Sequence, residues 1–103
     1  MLQNVTIEHF RGLLGSVVPL QLADGSQLQV EVTALVEKPA GRAGDDSRMP
    51  FNVSLSTRHP SSFIDGPCAL ELPALGVLPA VFVSRVPPMG RDERLAYYCI
   101  AFN

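Results

Sequence analysis

Apolar and polar residues alternate with a period of two along most of the chain, and this pattern predicts β-strands. The first two alternating runs lie on either side of Asp24-Gly25, a dipeptide typical of a β-hairpin turn. Pro19 cannot donate a ladder hydrogen bond, so we expect the first strand to be an edge strand or to be bulged there. The positions expected to face inward are Val18, Leu20, Leu22, Leu28, Val30, Val32, Ala34 and Val36.

Four further strands are predicted, near 50–57, 68–72, 77–86 and 95–103. The first two alternate cleanly and should each turn one face to the core. The last two are apolar on both faces, so we expect both faces to be covered. The cover could be the N-terminal helix, the long loops or another copy of the chain. The inward positions expected in the first two are Phe51, Val53, Leu55, Cys68, Leu70 and Leu72.

One short helix is predicted near the N-terminus. Thr6 can cap it, and Ile7, Phe10 and Leu14 follow at helical spacing until Gly15 ends it. This predicts two to three turns with one apolar face, and with His9 on the solvent side.

These elements predict a single mainly β domain over residues 1–103. Six strands, short connections and one short N-terminal helix favour a small antiparallel six-stranded barrel or roll, with a two-sheet β-sandwich as the alternative. At 47% apolar residues, the chain is rich enough to build a core.

Charge and composition exclude several classes of function. The net charge is −2, and the seven arginines and one lysine are spread along the chain, so we expect no nucleic-acid binding. No run approaches the roughly 20 apolar residues of a membrane span, and the start lacks a secretory pattern. We therefore expect a cytoplasmic protein that does not bind membranes, with Cys68 and Cys99 as reduced thiols and without a cofactor.

The stretch RHPSSFIDGPC, residues 58–68, gathers several chemically active side chains in a predicted loop. Phe63 and Ile64 are two large apolar residues in a segment that otherwise consists of residues typical of turns. They could plug the mouth of the barrel, which we favour, or contact a partner. With Arg58 and His59 they form the candidate interaction surface.

Two other functions are alternatives to protein interaction. A hydrolase could use Cys68 with His59 and Asp65, but the alternation points Cys68 into the core, where a thiolate is disfavoured. A small-molecule-binding barrel would need a pocket with convergent polar groups, for which Arg58, Arg85 or Tyr97 are available.

Metal binding has little support in the sequence. The adjacent carboxylates of Asp45 and Asp46 lack a third oxygen ligand at a suitable spacing. The cysteines and histidines do not form a zinc-ligand pattern.

Several motifs resemble a family of short bacterial proteins described as domain of unknown function 6916. The matching positions are Thr6, Phe10, Pro50, Phe51, Leu55, Gly66, Leu70, Leu75, Gly76, Tyr98, Phe102 and Asn103. Cys68 stands where an aromatic residue is more usual in the family. The resemblance implies a small β-fold without an assigned activity, and some relatives accompany proteins that look like phage tail collars.

Together, these observations favour a non-enzymatic protein interaction or assembly module, and we expect a protein partner or self-association. An accessory role in a phage-tail-like particle is the setting that the resemblance suggests. The small-molecule-binding barrel is the alternative, and the Cys/His hydrolase is the third.

Overall fold

Six antiparallel strands close into a barrel in the computed structural model of the protein, which describes residues 2–42, 44 and 48–103. The order around the barrel is β1-β2-β3-β6-β5-β4. This confirms the predicted six-stranded barrel over the sandwich. The strands are β1 (Val17–Gln21), β2 (Gln27–Glu37), β3 (Phe51–Ser56), β4 (Asp65–Leu72), β5 (Gly76–Val86) and β6 (Tyr97–Phe102). The helices are α1 (Glu8–Arg11) and two 3₁₀ turns, Leu2–Asn4 and Pro39–Gly41.

The predicted hairpin joins β1 to β2, with Gln21 paired to Gln27. Asp24 Oδ1 accepts hydrogen bonds from the backbone N–H of Ser26 at 2.9 Å and from its hydroxyl. Gly25 has a φ of +89°, a left-handed conformation that side chains with a Cβ rarely adopt. The β-hairpin turn predicted at Asp24-Gly25 is therefore confirmed.

A β-bulge in β2 changes which side chains face inward. The register with β3 shifts between Val32 and Ala34. Val30 and Val32 are buried as predicted, but beyond the bulge Leu35 packs against the core and Val36 is 52% exposed. The inward position predicted for Val36 is wrong because an extra residue reverses the alternation.

Pro19 lies on a part of β1 that has a strand on one side only, as predicted, although β1 as a whole is not an edge strand. β1 pairs with β4 through Leu20–Leu70 and Gln21–Ala69 only, so the strand lies inside a closed barrel. The pairing with β4 covers Leu20 and Gln21 and does not extend to Pro19, which has no N–H to donate. The result is a short seam between β1 and β4.

Side chains fill the interior of the barrel, as expected for a barrel of so few strands. The buried inward residues are Leu20, Val30, Val32, Val53, Leu55, Cys68, Leu70, Leu72, Leu78, Val81, Val83, Tyr98 and Ile100. A ligand would therefore have to bind at the surface of the barrel.

The N-terminal segment closes one end of the barrel. Phe10 is buried with its ring centroid 5.9 Å from Phe51 and 5.6 Å from Phe102. The helix has one turn, shorter than predicted, because the chain then leaves it to hydrogen bond with β2: the Gly15 N–H donates to Val32 O at 2.8 Å. Leu14 is 46% exposed, so its predicted place on the apolar face is wrong.

His9 is half-buried at the start of α1 rather than fully on the solvent side. Its Nδ1 accepts a hydrogen bond from the Thr6 backbone N–H at 2.9 Å. The N-cap of α1 is Ile7 and no side-chain hydrogen bond caps it, so the predicted capping by Thr6 is wrong, and Thr6 instead contacts the His9 ring through its backbone N–H.

β6 is covered on its inner face, but its outer face is covered only around Tyr97 and is exposed at Ala101, so the predicted cover over both faces holds only for the first part of the strand. Tyr98, Ile100 and Phe102 are buried inside the barrel. On the outer face, the Arg91 guanidinium lies 3.8 Å from the centroid of the Tyr97 ring, and the Tyr97 hydroxyl donates to the Asp92 carbonyl. The loop after β5 therefore supplies this cover.

β5 is covered on its inner face only. Leu78, Val81 and Val83 are buried, whereas Val77 is 54% and Phe82 is 58% exposed. The expected cover over both faces is therefore wrong for β5. Leu78 and Phe82 point to opposite faces because a register shift against β4 interrupts the alternation between them.

Candidate interaction surface

The stretch 58–68 connects β3 to β4 and ends as strand rather than loop. β4 begins at Asp65 and pairs Asp65 with Ser84 and Gly66 with Val83. Only residues 58–64 are therefore available as a loop surface.

Phe63 turns inward at the end of the barrel opposite Phe10. Its ring centroid lies 5.5 Å from that of Tyr98, and it packs against the buried core. The Tyr98 hydroxyl donates to Phe63 O at 2.8 Å, and the Arg85 guanidinium donates to Ser61 O at 2.8 Å. Two β-strands thus hold the loop in place, and Phe63 lies where a plug was expected.

Ile64 turns away from this plug. It is 60% exposed, while its carbonyl oxygen accepts a hydrogen bond from the Arg85 backbone N–H at 3.0 Å. The side chain is therefore presented to solvent from an ordered backbone. Because Phe63 faces inward, the two residues do not form a joint apolar contact surface.

Arg58 and His59 lie in a separate surface cleft of about 280 Å³. Arg58 also reaches Glu31, with Nη2 3.3 Å from Oε1 in an exposed ion pair. A second cleft of about 370 Å³ shares Arg58 and Pro60 with the loop before β6. The lining residues of the first cleft are Val17, Leu28, Gln29, Thr57, Arg58, His59 and Pro60. The four candidate residues are therefore divided among a plug, an exposed side chain and a cleft.

The three residues considered for a hydrolase have different environments. Cys68 points into the core, and burial raises the pKa of its thiol above the ordinary value. His59 lines the surface cleft, and Asp65 is exposed at the start of β4. A buried thiol with a raised pKa is a poor nucleophile.

Metal and membrane sites receive no positive indication in the part of the chain that the structure describes. Residues 2–42, 44 and 48–103 contain no group of three or more His, Cys, Asp or Glu side chains that could hold a metal ion. Asp45 and Asp46 lie outside the described residues. None of the described helices is long and apolar enough to cross a membrane.

The outer part of β5 is a surface that the sequence analysis missed. β5 pairs with β4 through residues 76–78 and 81–84, with a register shift at Pro79 and Ala80, and it pairs with β6 only through residues 84–86. Residues 77–83 therefore have a strand on one side only, and we call them the β5 edge. Their sequence, VLPAVFV, contains no charged residue. This uncharged run is the sequence signal for the surface, although the same pattern also predicts a strand covered on both faces.

A cleft of about 390 Å³ lies beside the β5 edge. Leu2 and Gln3 line it on one side, and Pro79 and Ala80 line it on the other. On the neighbouring strand β4, Pro67 pairs with Phe82, and both side chains are exposed. Apolar side chains thus continue from the cleft to Phe82 and Pro67, whereas the exposed Glu71 of β4 lies opposite Val77.

The architecture can be compared with known proteins once this geometry is clear. A family model described as domain of unknown function (DUF6916) matches residues 5–102. No curated protein and no solved structure matches the chain. The family match confirms the resemblance seen in the sequence motifs. Since it covers nearly the whole chain, the protein belongs to the DUF6916 family.

Proposed function

We propose that the protein is a non-enzymatic assembly module that binds another protein chain through the outer surface of β5. The observation that carries this proposal is the exposure of Phe82 and Val77 on a strand without a charged residue between them. Contiguous exposed apolar side chains on a small domain mark interaction sites.

Phe82 has the properties of an interface anchor. An aromatic side chain carries a large apolar area, and aromatic residues are enriched among those that dominate binding energy. Its neighbours Pro67, Pro79 and Ala80 are exposed as well, so a partner that covers Phe82 would also cover them. The rigid barrel beneath requires little reorganisation on binding.

The setting of this binding stays a prediction. An accessory role in a tail-like particle rests on the motif resemblance alone, and the β5 surface would serve any assembly equally. The proposed function is therefore binding through β5, whichever assembly contains it.

Photo-crosslinking from position 82 tests this function. We replace Phe82 with a benzophenone-bearing phenylalanine and irradiate cells that produce the protein. We expect a discrete protein adduct, identified by mass spectrometry. The matched control carries the same group at Val36, which is 52% exposed on β2. Absence of an adduct at position 82, or the same adduct from position 36, would overturn the proposal.

The Arg58–His59 cleft supports a second candidate function, the binding of a small molecule. It combines a guanidinium and an imidazole with the apolar side chains of Val17 and Leu28. This arrangement suits a small carboxylate or phosphate compound with an apolar part. A thermal-shift screen of such compounds tests it. Stabilisation should disappear in Arg58→Ala, and a screen without any stabilising compound would count against this function.

A further inference from the structure

We infer that the chain bound by the outer surface of β5 inserts a basic side chain, flanked by apolar residues, into a groove over the seam between β1 and β4. This seam groove consists of two adjoining clefts, of about 330 Å³ and about 260 Å³, which share Pro19 and Glu71. Val77 lines the larger cleft and also belongs to the β5 surface. The inference therefore rests on the proposed function and states the chemistry of its partner.

The seam groove exists because β1 and β4 pair over a short length. Only residues 20–21 of β1 and 69–70 of β4 are paired. The same register would set Pro19 opposite Glu71, and Pro73 follows at the end of β4, but the pairing does not continue there. Neither proline has an N–H for a ladder hydrogen bond. The two strands therefore leave an opening, and the smaller cleft lies there beside Pro19 and Pro73.

The seam groove adjoins the surface that carries Phe82. Pro67, Ala69 and Glu71 follow one another along the outer face of β4. On β5, Phe82 pairs with Pro67, and Val77 pairs with Glu71. One bound segment can therefore cover Phe82 and also reach the groove.

The walls of the seam groove are mostly apolar. Pro73 lines the smaller cleft, and Ala69 and Val77 line the larger one. Val77 is 54% exposed, so this wall is open to a partner. Gln21 and Gln27, which are paired between β1 and β2, add amide groups that can bind the backbone of an inserted segment.

A single negative charge lies in the middle of the groove. Among the described residues that line the two clefts, Glu71 alone is charged, and it is exposed. Within the part of the chain that the structure describes, Glu71 forms no ion pair, whereas Glu8, Glu31 and Asp92 each pair with an arginine. An apolar groove with one carboxylate that has no cation is complementary to a segment with one positive charge.

A lysine or arginine suits this site because its side chain is amphipathic. Its methylene stem can pack on Pro19 and Val77 while its charged group meets the Glu71 carboxylate. Exposed ion pairs contribute little affinity by themselves, so apolar residues of the partner supply most of it by covering the groove walls and Phe82. The charge then selects a basic partner over an acidic one.

Selection of phage-displayed random dodecapeptides on the immobilised full chain tests the inference. The selected peptides should share a lysine or arginine flanked by apolar residues. Selection on Glu71→Lys should replace that basic residue by an acidic one, because the required charge is reversed. Glu93→Lys changes an exposed acidic residue that lines neither cleft, so it should select the same peptides as the wild type. Circular dichroism of each variant confirms that the barrel is folded.

Fluorescence anisotropy with one selected peptide then measures the contact. Glu71→Gln should raise the dissociation constant by about two- to fivefold, as expected for an exposed ion pair. Replacing the basic residue of the peptide by norleucine should have a similar effect on the wild type and little further effect on Glu71→Gln. The norleucine peptide tests the contact even if a protein variant does not fold.

Each outcome decides the inference. Peptides without a shared basic residue overturn it, as does a selection that yields no binding peptide or the same peptides from the wild type and Glu71→Lys. Any of these results together with a protein adduct from position 82 rejects the basic side chain and retains the proposed function. The same result without an adduct rejects both.

Discussion

Truncation of Phe10 measures how strongly the N-terminal segment is integrated into the barrel. Phe10 is buried against Phe51 and Phe102, so Phe10→Ala leaves a cavity between the segment and the strands. Replacing a buried phenylalanine by alanine costs about 3–5 kcal/mol. Since domains of this size are stable by only about 5–15 kcal/mol, the variant should lose a large fraction of its free energy of unfolding.

Leu14→Ala is the matched control. The sequence pattern places Leu14 on the same apolar face as Phe10, whereas the structure leaves it 46% exposed. We therefore expect a loss below about 1 kcal/mol, as is usual for residues outside the core. The sequence pattern and the structure thus predict different results for this residue.

Urea denaturation followed by circular dichroism gives both free energies. At about 4–8 °C per kcal/mol for a domain of this size, the melting temperature of Phe10→Ala should fall by roughly 12 °C or more. A loss below about 1 kcal/mol for Phe10→Ala would show that the segment is an appendage. Equal losses for the two variants would contradict the orientation of the segment described above.

Three further predictions concern a buried hydroxyl, a buried thiol and an exposed carboxyl group. The Ala96 N–H donates to Thr57 Oγ1 at 2.9 Å, so Thr57→Val should cost about 1–3 kcal/mol in urea denaturation, and Thr57→Ser should restore most of it. Cys68 should react with a thiol reagent far more slowly in the folded protein than in denaturant, because burial raises its pKa; fast labelling would contradict its place in the core. Hydrogen bonds from the Ser26 hydroxyl and N–H lower the pKa of Asp24, so this carboxylate stabilises the fold above its unfolded pKa, and the contribution is lost as pH falls through the folded value. In Ser26→Ala the pKa of Asp24, measured by NMR titration, should move back up; an unchanged pKa would refute the hydroxyl as its main cause.

Local patterns were sufficient to predict the number of strands and the first hairpin. Asp24-Gly25 fixes a turn through its own chemistry, and β3 keeps strict alternation over its whole length. Six short strands that each need a neighbour also favour a barrel, although they leave a two-sheet sandwich as the alternative. These features depend on residues that are close together in sequence.

Register could not be predicted in the same way. The bulge after Val32 and the register shift opposite Cys68 and Leu70 each insert one extra residue into a strand, and each reverses the alternation in a way that the local pattern does not reveal. Val36 and Phe82 are therefore exposed although their patterns suggested cover. The β5 edge could not be predicted either, because the closed barrel determines how far β5 pairs with β6.

The candidate residues were predicted with mixed results for a related reason. A loop sequence can show that Phe63 and Ile64 are unusually apolar, but it does not show which of them turns inward. The Arg85 and Tyr98 side chains decide this by binding the loop backbone. Both residues follow the loop by more than twenty positions in the sequence.

The short seam between β1 and β4 has a consequence for the order in which the chain folds. Leu20 and Leu70 meet there, and Phe51 and Phe102 meet between β3 and β6, so each contact closes a loop of about half the chain. Such distant contacts carry a high entropy cost and slow the folding rate. The β1–β2 and β4–β5 hairpins involve neighbours in sequence and should form earlier. We therefore expect the two residue pairs of the seam to form late, and amide exchange to reveal this seam as the first part of the barrel to open.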